Sequence, residues 1–200
     1  MKRNSIITCV LLIGAVLFLI QCTDEKKDDN NNIAPTGVEF GGYGSQVKWG
    51  EHLVLTGGCG DCHTPKKMTD QGPVDDSSLL LSGHPAQMPI PPVDRVDLQT
   101  KGVFATQTLT AWVGPWGVSF SANITPDSTG IGAWKEEQFI YALRNGVYKG
   151  LAGSRPLLPP MPWPSIKNFS DDELKAIFAY LKNVKPIKNV VPAFMPPATK

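Results

Sequence analysis

The chain has 200 residues, 42% hydrophobic and 18% charged, with 19 Lys and Arg against 18 Asp and Glu. That length fits one domain plus appendages, the modest apolar content excludes a polytopic membrane protein, and a net charge of +1 leaves no basic footprint for nucleic acid. The 19 Gly and 18 Pro exceed average usage of roughly 7% and 5%, which predicts much loop and limited regular structure.

Residues 1–21 read as an export signal. Lys2 and Arg3 precede an apolar run from Ile6 to Ile20, too short to span a bilayer comfortably and suited to a signal-peptide core. The stretch Leu19-Ile20-Gln21-Cys22 resembles a lipobox, the bacterial lipoprotein signal whose Cys is lipidated and becomes the mature N-terminus. Gln21 departs from the small residue usual there. The expectation is an exported lipoprotein, periplasmic or on the cell surface, anchored to a membrane through Cys22, with Cys9 discarded. Thr23 to Asn32 is polar and charged, and residues 22–45 read as a lipidated start and flexible tether.

Residues 46–56 read as a short helix with Trp49, Leu53 and Val54 apolar. It delivers the chain to Cys59-Gly60-Asp61-Cys62-His63, the c-type haem attachment motif. Two thiols three positions apart reach the two vinyl groups of one porphyrin, and the adjacent His63 then lies under the ring to coordinate iron. A redox dithiol would open a helix in a βαβ setting, which the sequence lacks. A zinc site would need two further Cys or His ligands at suitable spacing, and His52 and His84 form no such pair. One motif of this type implies one haem.

Residues 64–132 show no convincing strand or helix pattern and concentrate Gly, Pro, Asp and Ser. So long a structureless insertion is usually functional; the expectation is that it wraps the haem edge. Residues 135–145 carry Phe139, Ile140 and Leu143 at helical spacing, with Glu136 and Glu137 in the first turn and Gly146 just beyond the end. Residues 171–183 give the clearest helix: Ser170 and Glu173 form a capping box, Phe169 and Leu174 a hydrophobic staple. Residues 186–200 read as a Pro-rich tail.

Iron held by His63 needs, or leaves open, a position on its other face. The candidates are His52, His84, Met68, Met88, Met161 and Met195. Met161 lies in Leu157-Leu158-Pro159-Pro160-Met161-Pro162-Trp163-Pro164, a stiff extended strap that can present a thioether rigidly, with Trp163 beside the ring. Met88, in a weaker echo of that pattern, and His84 remain alternatives. His52 reads as a surface residue.

Three stretches, Gly50 to Pro65, Ala122-Asn123-Ile124-Thr125-Pro126-Asp127 running to Trp134, and Pro160-Met161-Pro162-Trp163 running to Leu181, resemble the class I cytochrome c family. The likeness is strongest to the cytochrome domains of bacterial alcohol and gluconate dehydrogenase cytochrome subunits. The resemblance implies a mostly α cytochrome c fold over residues 46–185, about three helices around one covalent haem with long Gly/Pro-rich loops. It further implies thioethers on Cys59 and Cys62, His63 as proximal ligand, Met161 as distal ligand, and Asn123 and Thr125 in a loop near the haem. Two departures stand out: those subunits carry several haem domains where this chain has one, and Lys135 occupies a capping position usually held by Thr or Ser. The expected function is single-electron transfer between a dehydrogenase donor and a cytochrome or oxidase acceptor, without catalysis of its own. A haem-based sensor of small ligands and a non-catalytic cytochrome subunit of a larger dehydrogenase are the alternatives.

Overall fold

The structure, a computed structural model, describes residues 39–199. The export signal, Cys9, Cys22 and most of the tether lie outside the described residues. The elements run α1 (Gln46–Thr56), α2 (Cys59–His63), β1 (Lys66–Thr69), β2 (Gly72–Asp75), α3 (Leu98–Lys101), β3 (Phe104–Ala105), β4 (Ala111–Gly114), β5 (Gly117–Phe120), α4 (Glu136–Asn145), α5 (Trp163–Ile166) and α6 (Asp171–Leu181).

The three longest helices are those expected from periodicity. Ser45 caps α1 by accepting from the Lys48 amide at 3.2 Å. In α6 both halves of the capping box form: the Glu173 amide donates to Ser170 Oγ at 3.2 Å, and the Ser170 amide donates to Glu173 Oε2 at 2.6 Å. Lys135 precedes α4 without any side-chain cap. The buried stripes of α1 (Leu53, Val54), α4 (Phe139, Leu143) and α6 (Leu174, Ile177, Phe178, Leu181) meet in one apolar cluster, joined by Leu81 and Ile131. Phe139 and Phe178 pack with ring centroids 5.2 Å apart. Where α1 crosses α6 the backbones touch: a Cβ on Gly50 would lie 1.8 Å from the Ala176 carbonyl oxygen. Only a residue without a side chain fits there.

The expectation that residues 64–132 lack regular structure is corrected. They fold into two small antiparallel sheets, the hairpin β1–β2 and the three-stranded β3–β4–β5. The strands are two to four residues long, too short for an alternating pattern to declare itself. Pro73 sits in β2, at the edge of a two-stranded ladder, where its missing donor is tolerated. The fold is thus helical around its apolar cluster and β-structured beside it.

What fills the β region is largely polar. Thr106, Thr108 and Thr110 are buried and link hydroxyl to hydroxyl at 3.0 and 2.8 Å. Residues 186–199 lie back along this region rather than trailing away. Val118 and Met195 exchange backbone bonds at 2.8 and 3.2 Å. The carbonyls of Ile187 and Ala198 accept from Asn123 Nδ2 at 2.8 Å and Gln99 Nε2 at 2.7 Å, and that of Pro196 accepts from Arg95. Proline removes a backbone donor but leaves the acceptor, so a Pro-rich strand can still be held through its oxygens.

Candidate haem site

Gly57 ends α1 by donating to the Leu53 carbonyl at 2.8 Å, and Gly58 follows with φ 65. That left-handed step is open to glycine at little cost and starts α2 at once. This single turn carries Cys59, Cys62 and His63, and closes where the Thr64 amide donates to the Gly60 carbonyl at 3.0 Å. Thr64 is fully buried, and its Oγ1 accepts from the Leu81 amide at 3.0 Å.

His63 is fixed from the β side of the molecule. Its Nδ1–H donates to the Ala122 carbonyl at 2.8 Å, and its own carbonyl accepts from the Gly83 amide at the same distance. With Nδ1 committed as a donor, Nε2 keeps a free lone pair. Burial pushes the imidazole below its usual 6.5, against a smaller opposite pull from the Ala122 hydrogen bond, so the neutral form that ligates metal is favoured.

The two thiols are half-buried and not joined to each other. Burial pushes the Cys59 thiol up to about 11, and burial followed by the nearby Asp61 carboxylate raises Cys62. Redox dithiols and nucleophilic cysteines have the opposite character, a lowered value that exposes thiolate. The turn therefore fits a group that alkylates both sulfurs and takes the imidazole Nε2.

Met161 is partly buried against the same apolar cluster as Cys59. Its strap is held just ahead of it at two points: the Leu157 amide donates to the Gly146 carbonyl at 2.7 Å, and Ser119 Oγ donates to the Pro159 carbonyl at 2.6 Å. Trp163 lies over Gly146 at the end of α4, where a Cβ would come within 2.5 Å of the indole.

The other candidate ligands are placed elsewhere. His84 is fully buried with both nitrogens engaged, Nε2–H donating to the Met88 carbonyl and Nδ1 accepting from Thr110 Oγ1, each at 2.9 Å. His52 is exposed and stacks on Tyr43. Met68 is exposed on β1, while Met88 and Met195 line a separate groove of about 430 Å³ with Phe120 and Ile90. Sequence reasoning missed the partner of His63, because a backbone carbonyl carries no residue-type signal. It placed Asn123 and Thr125 near the haem. In the structure Asn123 Oδ1 accepts from the amide and hydroxyl of Thr125 at 3.0 and 2.7 Å, shaping the loop that presents the Ala122 carbonyl.

Residues 47–185 match the Cytochrome c family, and the chain belongs to it. Membership carries covalently bound haem c and a role in electron transfer. Among characterised proteins, the chain is 33% identical over 143 residues to the gluconate 2-dehydrogenase cytochrome c subunit of Pantoea cypripedii, covering 70% of this chain and 24% of that one. It is 28% identical over 143 residues to the fructose dehydrogenase cytochrome subunit of Gluconobacter japonicus, covering 70% and 22%. It is 41% identical over 75 residues to the cytochrome c subunit of the quinone-dependent alcohol dehydrogenase of Gluconobacter oxydans, covering 36% and 15%. The chain thus spans less than a quarter of the length of each of these relatives. No helix among the described residues is long and apolar enough to cross a membrane.

Proposed function

We propose that the chain is a mono-haem class I cytochrome c with His/Met ligation. It passes single electrons from a dehydrogenase donor to a downstream cytochrome or oxidase, while lipid on Cys22 tethers it on the exported side of a bacterial membrane. In this reading Cys59 and Cys62 would hold the porphyrin as thioethers, and His63 Nε2 and the Met161 thioether would hold its iron. The bound haem c supplies an iron that alternates between ferric and ferrous states. The chain's own residues keep that change small in structural terms. The Ala122 carbonyl fixes the His63 ring and its tautomer, which also raises its basicity toward metal. Ser119 and Gly146 pin the strap of Met161, and Leu53, Leu143, Phe178 and their neighbours keep water from the interior face. A thioether opposite imidazole favours the ferrous state relative to a second imidazole.

The observation that carries this reading is the 2.8 Å hydrogen bond from His63 Nδ1 to the Ala122 carbonyl, which leaves one nitrogen free beside two protonated thiols. The roles of the Pantoea and Gluconobacter relatives favour a second form of the same reading, in which the chain serves as a cytochrome subunit docked on a dehydrogenase. Redox titration of the full, haem-loaded protein with visible spectra tests both ligands. One haem per chain, a low-spin spectrum and no CO binding by the reduced protein are expected, and Met161→Ala should open the iron to CO. If reduced wild-type protein binds CO readily and Met161→Ala leaves the ferric spectrum unchanged, the His/Met assignment is wrong. Co-purification with a dehydrogenase would mark the subunit form.

A further inference from the structure

Lys66, the first residue of β1, does not point to solvent. Its side chain is 9% exposed, and its ammonium donates to the carbonyls of Gly60 and Thr64, each at 2.9 Å, while contacting Asp75 Oδ1 at 2.6 Å. An ammonium has three protons, and here it has three acceptors. Two of them belong to the backbone of the turn that carries Cys59, Cys62 and His63. The Gly60 carbonyl accepts from the Thr64 amide as well, and a cation placed at the C-terminal end of a helical turn is favoured by the helix dipole.

The pair is built rather than incidental. The β1–β2 register sets Lys66 directly opposite Asp75, so the hairpin holds the carboxylate where the ammonium needs it. Burying a lysine carries a large desolvation cost that a neutral donor would avoid. The two charges are also unequally shielded: Lys66 is 9% exposed and Asp75 is 55% exposed. Water screens the carboxylate more than the ammonium, so the pair's own contribution at the turn is positive, opposed there by the Asp61 carboxylate.

We propose that Lys66, oriented by Asp75, is a positioning residue for the haem-bearing turn and raises the reduction potential of the bound haem. This rests on the haem reading above. Reduction adds one electron, delivered by a donor redox protein, and takes ferric iron to ferrous. A fixed cation beside the turn favours the state with the extra electron, and the carboxylate offsets part of that effect.

The test is the midpoint potential of the full, haem-loaded chain, measured by spectroelectrochemical titration alongside haem content and the visible spectrum. The Lys66→Gln midpoint should fall below wild type, and the Asp75→Asn midpoint should rise by less than Lys66→Gln falls. Lys101→Gln removes the same charge from an exposed pair with Asp97 and should titrate as wild type. A Lys66→Gln protein with one haem, an unchanged spectrum and the wild-type midpoint overturns the proposal. If Lys66→Gln fails to load haem, the Asp75→Asn protein decides, and an unshifted midpoint there overturns it equally. Absence of covalent haem from the wild-type chain would instead sink the reading on which the proposal rests.

Discussion

The two sides of this domain cohere by different physics. On one side α1, α4 and α6 bury Leu53, Phe139, Leu143, Leu174, Ile177, Phe178 and Leu181 in a cluster held together by apolar contact. On the other, the short strands and residues 186–199 bury Thr106, Thr108, Thr110, His84 and Asn123 and satisfy them with one another. Apolar packing is tolerant of small shifts and cooperative over a large volume. A buried polar network depends on every member, since an orphaned group costs its full desolvation. The candidate haem site lies on the seam. Cys59 and Met161 pack on the apolar cluster, whereas His63 is oriented by Ala122 and Gly83 from the polar side.

The sharpest way to break the helical side is Gly50→Val, which drives a side chain into the Ala176 carbonyl. The expected loss is about 3 kcal/mol, the upper end of overpacking costs, seen as a lower denaturant midpoint for the whole domain. An unchanged midpoint would mean that the crossing can slide. On the polar side the matching change is Asn189→Ala. Asn189 Nδ2 donates to the Ser82 and His84 carbonyls at 2.7 and 2.8 Å, and its Oδ1 accepts from the Ala86 amide at 3.0 Å. Stranding those groups should cost about 2 kcal/mol and speed amide exchange at Ala86 while leaving α6 protected. Equal acceleration on both sides would erase the distinction between them.

The smallest expected effect is one of pH. Burial holds His84 below its usual 6.5, against a weaker opposing hydrogen bond to Met88. Between the folded value and 6.5 the unfolded chain binds a proton that the folded chain does not. Its contribution is therefore fully present above about pH 6.5 and is lost as pH falls toward the folded value. The groups facing the ring are the Thr110 hydroxyl, the Met88 carbonyl and Phe120. None of these is a carboxylate that could stabilise an imidazolium. His84→Gln should flatten the stability profile below pH 6.5 relative to wild type in urea titrations; a parallel profile would place the titration elsewhere.

The same division explains what could be read from the residues alone. The α6 boundary was legible because Ser170 and Glu173 announce a cap and Leu174, Ile177, Phe178 and Leu181 recur at helical spacing. The haem motif was legible because covalent geometry allows few spacings. On the polar side the strands were invisible, being too short to alternate, and the Pro-rich stretch after residue 185 gave no sign that its carbonyls would be used. His84 looked like a ligand candidate because a sequence shows a histidine but not the two partners that occupy it. Lys66 drew no attention in the sequence, since nothing in residue type foretells that its acceptors would be the carbonyls of Gly60 and Thr64.

The contact between Gly50 and Ala176 also bears on how the domain assembles in time. α2 is a local turn, closed by its own backbone bonds between Gly58 and Thr64. Its location is not local, because α1 fixes it and α1 is fixed by α6 from the far end of the described chain. Closing so long a loop carries an entropic cost before any contact rewards it, and domains dominated by such pairings fold slowly. The place of the segment bearing both thiols thus depends on a contact between two distant parts of the described chain.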